Sequence, residues 1–320
     1  MILMHLSPLY PDLEASIIAW IKEKAPANTT KTYKTYADQF LRWCERKELN
    51  PQKAVSMCDF LRNGLEERGL ARGTLADVIP AAAEDYFRFS DSSPARDCPA
   101  MIAAMKKVLR AHTRKPQARK PMLRKHLIAM AAAATPTLKE TRDILLMVLM
   151  FAGFLRESEA VALEAADVWI TQAEASSTTV LYMVVRKSKT DQYSENATVV
   201  VSGCPGNPIC PVMWYKRYMA LRRDSPFFFH QAPKNSVEKL AKSSPCYLVK
   251  YWLARISVDP KGFGSHSLRR GGATAAAQAH IKMHVLKRHG RWRSDAVYMY
   301  IVDGPEQQLG VSQAVLGGLM

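Results

Sequence analysis

Arginine, histidine and a carboxylate recur at spacings that suit chemistry at a phosphate ester. Arg156 follows an apolar segment and precedes Glu159 by three residues, so the carboxylate can orient the guanidinium from the same helical face. His266 and Arg269 stand three residues apart at the predicted start of a helix, on one face and near its positive end. Rigid cationic donors of this kind stabilise the negative charge that phosphoryl transfer concentrates on nonbridging oxygens. The pattern therefore indicates a site that grips a phosphate.

Further candidates lie between and after these segments. Lys187 and Lys189 occupy a predicted hairpin turn, where a flexible ammonium could act as general acid on a leaving oxygen. Trp292, Tyr298 and Tyr300 follow near the C-terminus. A free tyrosine has a pKa of about 10, so it is a nucleophile at neutral pH only when a neighbour accepts its proton or cations favour the phenoxide.

The charge balance points to a polyanionic partner. Lysine and arginine number 45 against 29 aspartates and glutamates, giving a formal charge of +16. Nucleic acid is the leading candidate and an acidic membrane surface the second. A basic membrane-surface protein would require a long amphipathic helix with one cationic face, and the sequence offers no convincing one. The apolar run over 144–155 falls short of the roughly 20 residues that span a bilayer and indicates a buried helix.

The N-terminus and the cysteines indicate the compartment. Residues 1–10 lack the basic region and long apolar stretch of a secretion signal, so we expect the protein to act inside a cell. The six cysteines show no paired framework, and intracellular thiols stay reduced. Cys204 and Cys210 bracket a Pro/Gly loop, but that spacing alone does not indicate zinc. We expect no metal site and no cofactor.

Helical periodicity dominates the first third and predicts a helical domain over residues 1–112. Tyr33, Tyr36, Phe40 and Trp43 recur at helical spacing as a core stripe, with DNA stacking the weaker alternative. The predicted helices cover residues 13–21, 32–46, 53–68, 74–89 and 99–111.

A basic segment over 113–125, interrupted by Pro116 and Pro121, predicts an extended interdomain linker. The alternative is a solvated connector whose charges only keep it soluble. The sequence after this basic segment predicts a catalytic domain over 126–302 and an apolar tail over 303–320. Its β-branched runs over 178–185 and 197–201 indicate a hairpin. Its predicted helices cover 125–134, 139–154, 212–223, 237–255, 265–279 and 295–301.

In this order the residues resemble the tyrosine recombinase family, which includes phage integrases, Cre-type recombinases and the recombinases of some eukaryotic mobile elements. The resemblance covers nearly the whole chain. The family pattern is an arginine with an acidic residue three positions on, a hairpin lysine, H-x-x-R, a histidine or tryptophan after glycine, and a nucleophilic tyrosine. The matching residues are Arg156, Glu159, Lys189, His266, Arg269, Trp292 and Tyr300.

Two positions in this match have alternatives. Lys189 is favoured over Lys187 because the threonine after it fits the family pattern. Trp292 is favoured over His289 because the segment 290–292 resembles the family's G-x-W variant.

The nucleophile also has an alternative. Tyr300 is favoured over Tyr298 because an aliphatic residue follows it, although its interval from Trp292 is one shorter than in many members.

The resemblance implies a mostly α fold with a small β-sheet, in which a helical core-binding domain and a mixed α/β catalytic domain form a C-shaped clamp on DNA. It implies site-specific recombination of the integrase or transposase type through a 3′-phosphotyrosyl link, without metal or ATP. Arg156 and Arg269 would clamp the phosphate, His266 would accept the tyrosine proton, and Lys189 would protonate the leaving oxygen. Trp292 would add a hydrogen bond and packing, and Glu159 would hold the site in shape.

The implied partners are double-stranded recombination sites and further copies of the chain, as a dimer on one site and a tetramer in the synapse. By analogy with the family's C-terminal helices, the tail would dock on a neighbouring protomer. Cations of the linker and of the segment around Trp292 would contact the DNA backbone: Arg114, Lys115, Arg119, Lys120, Arg124, Lys125, Lys287, Arg288, Arg291 and Arg293.

Two rival functions remain open. A type IB topoisomerase uses the same chemistry on one duplex, although the helical N-terminal domain and the apolar tail favour a recombinase. A catalytically silent DNA-binding relative is the second rival, and the presence of every expected catalytic residue counts against it.

Overall fold

The structure is a computed structural model that describes residues 16–17, 27–113, 118–173, 178–186, 197–232, 238–303 and 309. The chain divides into two compact units, residues 1–117 and 118–320. No helix among the described residues has the length and apolar character needed to cross a membrane.

The first unit is a helical cluster around its own core. A single π-helical turn, Thr74–Val78, leads directly into its third helix. Most of the helix expected over 13–21 lies outside the described residues. The helices are α1 (Ala27–Arg46), α2 (Ala54–Glu66), α3 (Ile79–Tyr86), α4 (Pro94–Asp97) and α5 (Pro99–His112).

Three of the four residues of the predicted aromatic stripe on α1 pack into this core: Tyr36, Phe40 and Trp43. The fully buried Phe40 ring lies 5.6 Å from the Phe60 ring on α2. The half-buried Trp43 ring lies 5.9 Å from the same Phe60 ring. Tyr36 packs against the same cluster. Because large aromatic side chains bury much apolar area, these contacts hold α1 against α2.

The second unit contains most of the helices and the sheet. Its helices are α6 (Arg124–Ala133), α7 (Leu138–Ala152), α8 (Glu157–Ala160), α9 (Pro211–Leu221), α10 (Ser244–Arg255), α11 (Ser265–Gln278) and α12 (Met283–His289), with 3-10 turns at Ala165–Asp167 and Asp295–Met299. Its strands are β1 (Val168–Gln172), β2 (Thr179–Val185) and β3 (Ala197–Ser202).

Helix α7 forms the centre of this unit and ends at the candidate site. Its residues 141–150 are all buried, which explains why the sequence from Ile144 onward is apolar without a polar face. The helix begins at a cap in which the backbone N–H of Glu140 donates to the Thr137 hydroxyl at 3.3 Å. Gly153 follows its last residue, and the chain then turns at Phe154, whose φ is +49°.

The three strands form an antiparallel sheet in the order β1-β2-β3. The predicted hairpin is present, with Leu181 opposite Val201. Strand β1 was not predicted, and it adds Trp169 opposite Tyr182 with the two rings stacked at 5.4 Å. Alternate residues of β2, including Leu181, face the core, as expected for a sheet with one buried side.

The second half of the expected linker packs within the second unit. The backbone N–H of Lys120 donates to the carbonyl of Gly262 at 2.9 Å, and that of Met122 donates to the carbonyl of Ser267 at 2.8 Å. Met122 is fully buried. Residues 118–123 are therefore docked beside α11 and do not form a free extended connector, because an apolar side chain anchors them.

Two further elements differ from expectation. The helix expected over 237–255 begins only at Ser244, with Pro245 in its first turn, because the chain before it forms a β-bridge between His230 and Lys239. The short helix α12 was not predicted.

Candidate active site

Arg156 and Glu159 form a closed ion pair at the start of α8. The Arg156 Nη1 donates to Glu159 Oε1 at 2.6 Å, and the Arg156 backbone N–H donates to Glu159 Oε2 at 2.9 Å. The carboxylate is fully buried, and the arginine side chain is 14% exposed. Burial alone would raise the pKa of Glu159, but Arg291 and Arg156 outweigh it and hold that pKa below its usual value. Glu159 is therefore an ionised buried acceptor that orients Arg156, as expected from their spacing.

Arg269 lies on α11 and is completely buried. Its Nη1 donates to the carbonyl of Phe154, and its Nη2 donates to the carbonyl of Gly290 at 2.5 Å. Burial, followed by the charge of Arg156, lowers the pKa of Arg269 to about 10. The guanidinium stays charged at neutral pH even at this value. Two backbone carbonyls thus fix its planar fork in one orientation.

Trp292 and Tyr300 pack over Arg269. The Arg269 Cζ lies 4.3 Å from the centroid of the Trp292 ring and 5.5 Å from that of the Tyr300 ring. The two rings lie 5.2 Å apart. Trp292 is buried and Tyr300 is half-buried. Gly290 allows this packing, because a Cβ at that position would lie only 1.8 Å from an atom of the Trp292 ring.

Side chains of α11 anchor the segment that carries Tyr300. The Thr274 hydroxyl donates to the carbonyl of Tyr300 at 3.2 Å and accepts from the backbone N–H of Val302 at 3.2 Å. One turn earlier on the helix, Arg270 Nη1 donates to the carbonyl of Met299 at 2.8 Å. The tyrosine backbone is thus held by the same helix that carries Arg269. The sequence did not predict these two anchoring residues, because a single threonine or arginine does not reveal which backbone group it will bond.

His266 is exposed at the second position of α11, one turn before Arg269. The preceding Ser265 donates its hydroxyl to Glu157 Oε2 at 2.5 Å. Because Glu157 follows Arg156 directly, this bond ties the start of α11 to the start of α8. The two phosphate-binding segments expected from the sequence are therefore neighbours in the fold.

His289 and Tyr298, the alternatives to Trp292 and Tyr300, do not make the ring contacts with Arg269. His289 packs its ring edge-on against Phe154 at 4.7 Å, and its Nε2 lies 2.8 Å from the carbonyl oxygen of Ala152 at the end of α7. Tyr298 is 58% exposed, whereas Tyr300 makes the ring contacts with Arg269 and Trp292.

Arg291 lies inside the cluster, whereas we expected it on the surface in contact with the DNA backbone. Its side chain is 11% exposed, and its Nη2 donates to Glu159 Oε2 at 2.8 Å. Burial lowers its pKa, while Glu159 opposes that effect. A guanidinium enclosed in this way cannot reach across a surface to a phosphate chain, so the expected backbone contact is replaced by an internal ion pair.

The chain matches no protein-family model. A curated relative from Selenomonas ruminantium, an integrase/recombinase described as a XerD homologue, is 28% identical over 295 residues, which cover 88% of this chain and 84% of that protein. The Tn1549 transposon integrase in complex with transposon right-end DNA has a TM-score of 0.61 at 12% identity, over 95% of this chain and 98% of that one. A lambda integrase dimer bound to a COC′ core site has a TM-score of 0.60 at 12% identity, over 92% and 95%.

The chain is similar in sequence to this integrase/recombinase and shares the fold of the two integrases. It also shares the fold of the XerH site-specific recombinase in a post-cleavage complex, with a TM-score of 0.57 at 12% identity over 82% of this chain and 72% of that one. The expected fold class, mostly helical with a small sheet, is confirmed.

Against the tyrosine recombinase pattern, five of the expected residues meet in one cluster: Arg156, Glu159, Arg269, Trp292 and Tyr300. Lys187 and Lys189 lie outside the described residues, so the general acid stays a prediction. No group of histidine, cysteine or acidic side chains suited to a metal ion occurs in the described part of the chain.

Apart from Arg291, the predicted DNA contacts fall into three groups. Arg114 and Lys115 lie outside the described residues. Lys287 is half-buried and bonds Asp295 at 2.9 Å. The others, with Arg291 excepted, are exposed: Arg119, Lys120, Arg124, Lys125, Arg288 and Arg293.

Proposed function

We propose that the chain is a site-specific DNA recombinase of the integrase or transposase type that cuts and rejoins strands through Tyr300. The single observation that carries this proposal is the packing of Tyr300 over the buried Arg269, which shares its site with the Arg156–Glu159 pair. A tyrosine next to a fixed guanidinium group is placed where a cation favours both the phenoxide and a bound phosphate.

The proposed reaction is a balanced phosphoryl transfer. The Tyr300 oxygen attacks the phosphorus of a DNA phosphodiester while the exposed His266 accepts the phenol proton. A bond forms between the tyrosine oxygen and phosphorus, and the bond between phosphorus and the 5′ oxygen breaks. The 5′ oxygen leaves with a proton that Lys189 supplies. A 5′-hydroxyl of the partner strand then gives its proton to Lys189 and attacks the 3′-phosphotyrosyl ester. The bond between phosphorus and the Tyr300 oxygen breaks, and the phenol regains its proton from His266, so the number of phosphoester bonds does not change.

The arginines would stabilise the transition state. Charge develops on the two nonbridging oxygens, and donors that are already fixed need no reorganisation when it appears. Arg269 is fixed by two carbonyls and Arg156 by Glu159. A preorganised pair of this kind replaces the metal ions that many phosphoryl-transfer enzymes use.

Covalent capture on randomised DNA tests this proposal whatever the target sequence is. The full chain is mixed with a pool of randomised duplexes, each nicked so that a short cleaved strand diffuses away and traps the protein on DNA. Adducts that survive denaturation are recovered and their DNA is sequenced. We expect an adduct with the wild type and with Tyr298→Phe, and none with Tyr300→Phe.

The other outcomes discriminate between the rivals. Loss of the adduct only in Tyr298→Phe would move the nucleophile by two residues. No adduct with the wild type, together with sequence-specific binding of the pool, would favour a silent DNA-binding protein. An adduct without sequence preference, combined with relaxation of supercoiled plasmid by single protomers, would favour a topoisomerase.

We also propose that copies of the chain assemble on DNA, as a dimer on one site and a tetramer in the synapse. An apolar groove of about 440 Å³ lies beside α12 in the second unit, with Val285 at 40% and Ile281 at 45% exposure on its wall. The segment 311–320 is apolar and has little reason to face water. The proposed occupant of the groove is this segment of a second copy.

The assembly is tested by sedimentation of the protein on a captured duplex. Deletion of residues 311–320 and the substitution Val285→Asp are both expected to reduce assembly on DNA while a single copy still binds. Mixing the deletion variant with Val285→Asp should restore one interface per pair if the tail docks on a neighbour. Docking within the same chain would give no restoration.

A further inference from the structure

We propose that Arg291 is a positioning residue that joins Glu159 to the carbonyl of Phe154 and thereby holds the two phosphate-binding arginines in register. This inference rests on the proposed function, because it concerns the same site. Arg291 is not among the catalytic residues of the family pattern that the sequence matched, where only the glycine before it and the tryptophan after it were assigned.

The hydrogen bonds of Arg291 carry the argument. Its Nη2 donates to Glu159 Oε2 at 2.8 Å and to the carbonyl of Phe154 at 3.2 Å. Each of these acceptors also binds one catalytic arginine. Glu159 accepts from Arg156, and the Phe154 carbonyl accepts from Arg269. Arg291 therefore closes a chain of contacts that runs from one phosphate clamp to the other.

The other terminal nitrogen of Arg291 donates to backbone carbonyls of two separate turns. Its Nη1 donates to the carbonyl of Gly153 at 3.3 Å and to that of His289 at 3.1 Å. Phe154 and Arg291 both adopt left-handed backbone conformations, with φ of +49° and +58°, which bulky residues rarely do unless the surroundings impose it. The hydrogen bonds of the Arg291 side chain link these two turns to each other.

The charge of Arg291 is costly in this position, which argues for a specific role. Glu159 pairs with both Arg156 and Arg291, and the charge of Arg291 further lowers the pKa of Arg269, after burial and Arg156. A neutral side chain would remove that repulsion but could not satisfy Glu159 and three carbonyls at once. A planar fork with five donors can.

A positioning role and a general structural role predict different chemistry. If Arg291 acts through the phosphate clamps, its loss should impair stabilisation of charge on the nonbridging oxygens. Replacing one of these oxygens by methyl gives a methylphosphonate, which carries no such charge. The defect should then shrink on the methylphosphonate, whereas a protein that is merely less well folded would be impaired equally on both substrates.

The experiment uses a nicked duplex recovered by covalent capture, made with either a phosphate or a methylphosphonate at the scissile position. Single-turnover adduct formation is measured for the full-length wild type, Arg291→Met and Arg291→Lys. The matched control is Arg142→Met, since Arg142 is also a buried arginine that bonds a carboxylate, at 2.6 Å, and a carbonyl, at 2.9 Å. It lies near the other end of α7, away from the cluster. Thermal unfolding and duplex affinity are recorded for every variant.

We expect Arg291→Met to slow the reaction of the phosphate by about 100-fold with duplex affinity little changed, as misplaced catalytic groups do. On the methylphosphonate its deficit should be at least about 10-fold smaller, and Arg291→Lys should recover part of the rate. Arg142→Met should lose stability to a similar degree but keep its rate on the folded fraction.

Equal deficits on the two substrates, or a loss no larger than that of Arg142→Met, would overturn the inference while leaving the proposed function intact. If Arg291→Met does not fold, Arg291→Lys decides by the same comparison of substrates. Absence of any wild-type adduct would instead overturn the proposed function, and this inference with it.

Discussion

The guanidinium carbon of Arg269 lies 4.3 Å from the centre of the Trp292 ring, at a position where both groups are buried. A cation over an indole face is attracted by the ring quadrupole, and the attraction is strongest where water is excluded. The same ring contacts Tyr300 at 5.2 Å. Trp292 thus links Arg269, the proposed phosphate clamp, to the proposed nucleophile.

Substitution of Trp292 should therefore affect the rate of strand cleavage. We expect Trp292→Leu to slow adduct formation by about 30-fold, because a desolvated cation–π contact contributes about 2 kcal/mol and the support of Tyr300 is lost as well. Trp292→Phe retains a ring face and should lose only about 3-fold. The measurement is single-turnover capture on the selected duplex. A wild-type rate in Trp292→Leu would show that the ring is dispensable.

The docking of residues 118–123 beside α11 should depend on Gly271. A Cβ at Gly271 would lie 1.8 Å from the carbonyl oxygen of Met122, so Gly271→Ala must displace backbone. We expect it to lower the free energy of unfolding by at least about 3 kcal/mol. The control is Gly264→Ala, whose Cβ would meet nothing closer than 3.5 Å and should cost less than about 1 kcal/mol. Urea unfolding followed by circular dichroism measures both, and equal losses would contradict the packing.

Much of this architecture follows from local patterns in the sequence. The stripe containing Phe40 was predicted because burial of one helix face imposes the helical period on the sequence. The apolar run of α7 was predicted because a helix buried on all sides needs a continuous apolar stretch. A common site for Arg156, Arg269, Trp292 and Tyr300 was predicted because their order along the chain matches the family pattern.

Other features depended on partners distant in the sequence. Strand β1 is short, and Trp169 becomes part of a sheet through its pairing with Tyr182. Residues 118–123 have the sequence of a charged linker, and only the close approach of the Met122 backbone to Gly271 shows that they are docked. The enclosure of Arg291 was equally hidden, because an arginine beside basic neighbours looks like a surface contact until Glu159 is placed next to it.

The stability of the second unit should decrease as the pH falls below about 6.5. His230 is buried, and burial lowers its pKa below the usual value of 6.5, with Arg222 and Arg142 adding to the effect and a hydrogen bond to the Gln231 carbonyl opposing it. The unfolded chain takes up a proton near pH 6.5, whereas the folded chain does so only at lower pH. The contribution of His230 to the free energy of unfolding is therefore fully present above pH 6.5. It decreases as the pH falls, by at most about 1.4 kcal/mol per pH unit for one proton.

Melting temperatures measured between pH 7.5 and 5.5 test this linkage. His230→Gln should flatten the dependence on pH. The pKa of His126 is also lowered, by burial and by Lys125, so His126→Gln should remove a second part of the slope. An unchanged slope in His230→Gln would show that this histidine does not titrate between the two states.

Arg124 and Lys125 should contribute to the salt dependence of DNA binding. Both are exposed at the first turn of α6, where cations oppose the helix dipole and so do not favour the helix itself. Each phosphate contact releases condensed counterions, so the double variant Arg124→Gln, Lys125→Gln should reduce the slope of log K against log salt by about 2. Lys242→Gln combined with Lys250→Gln changes the net charge equally at exposed positions outside the predicted contacts. Fluorescence anisotropy on the selected duplex measures both slopes, and equal reductions would mean that net charge, rather than contact at α6, sets the affinity.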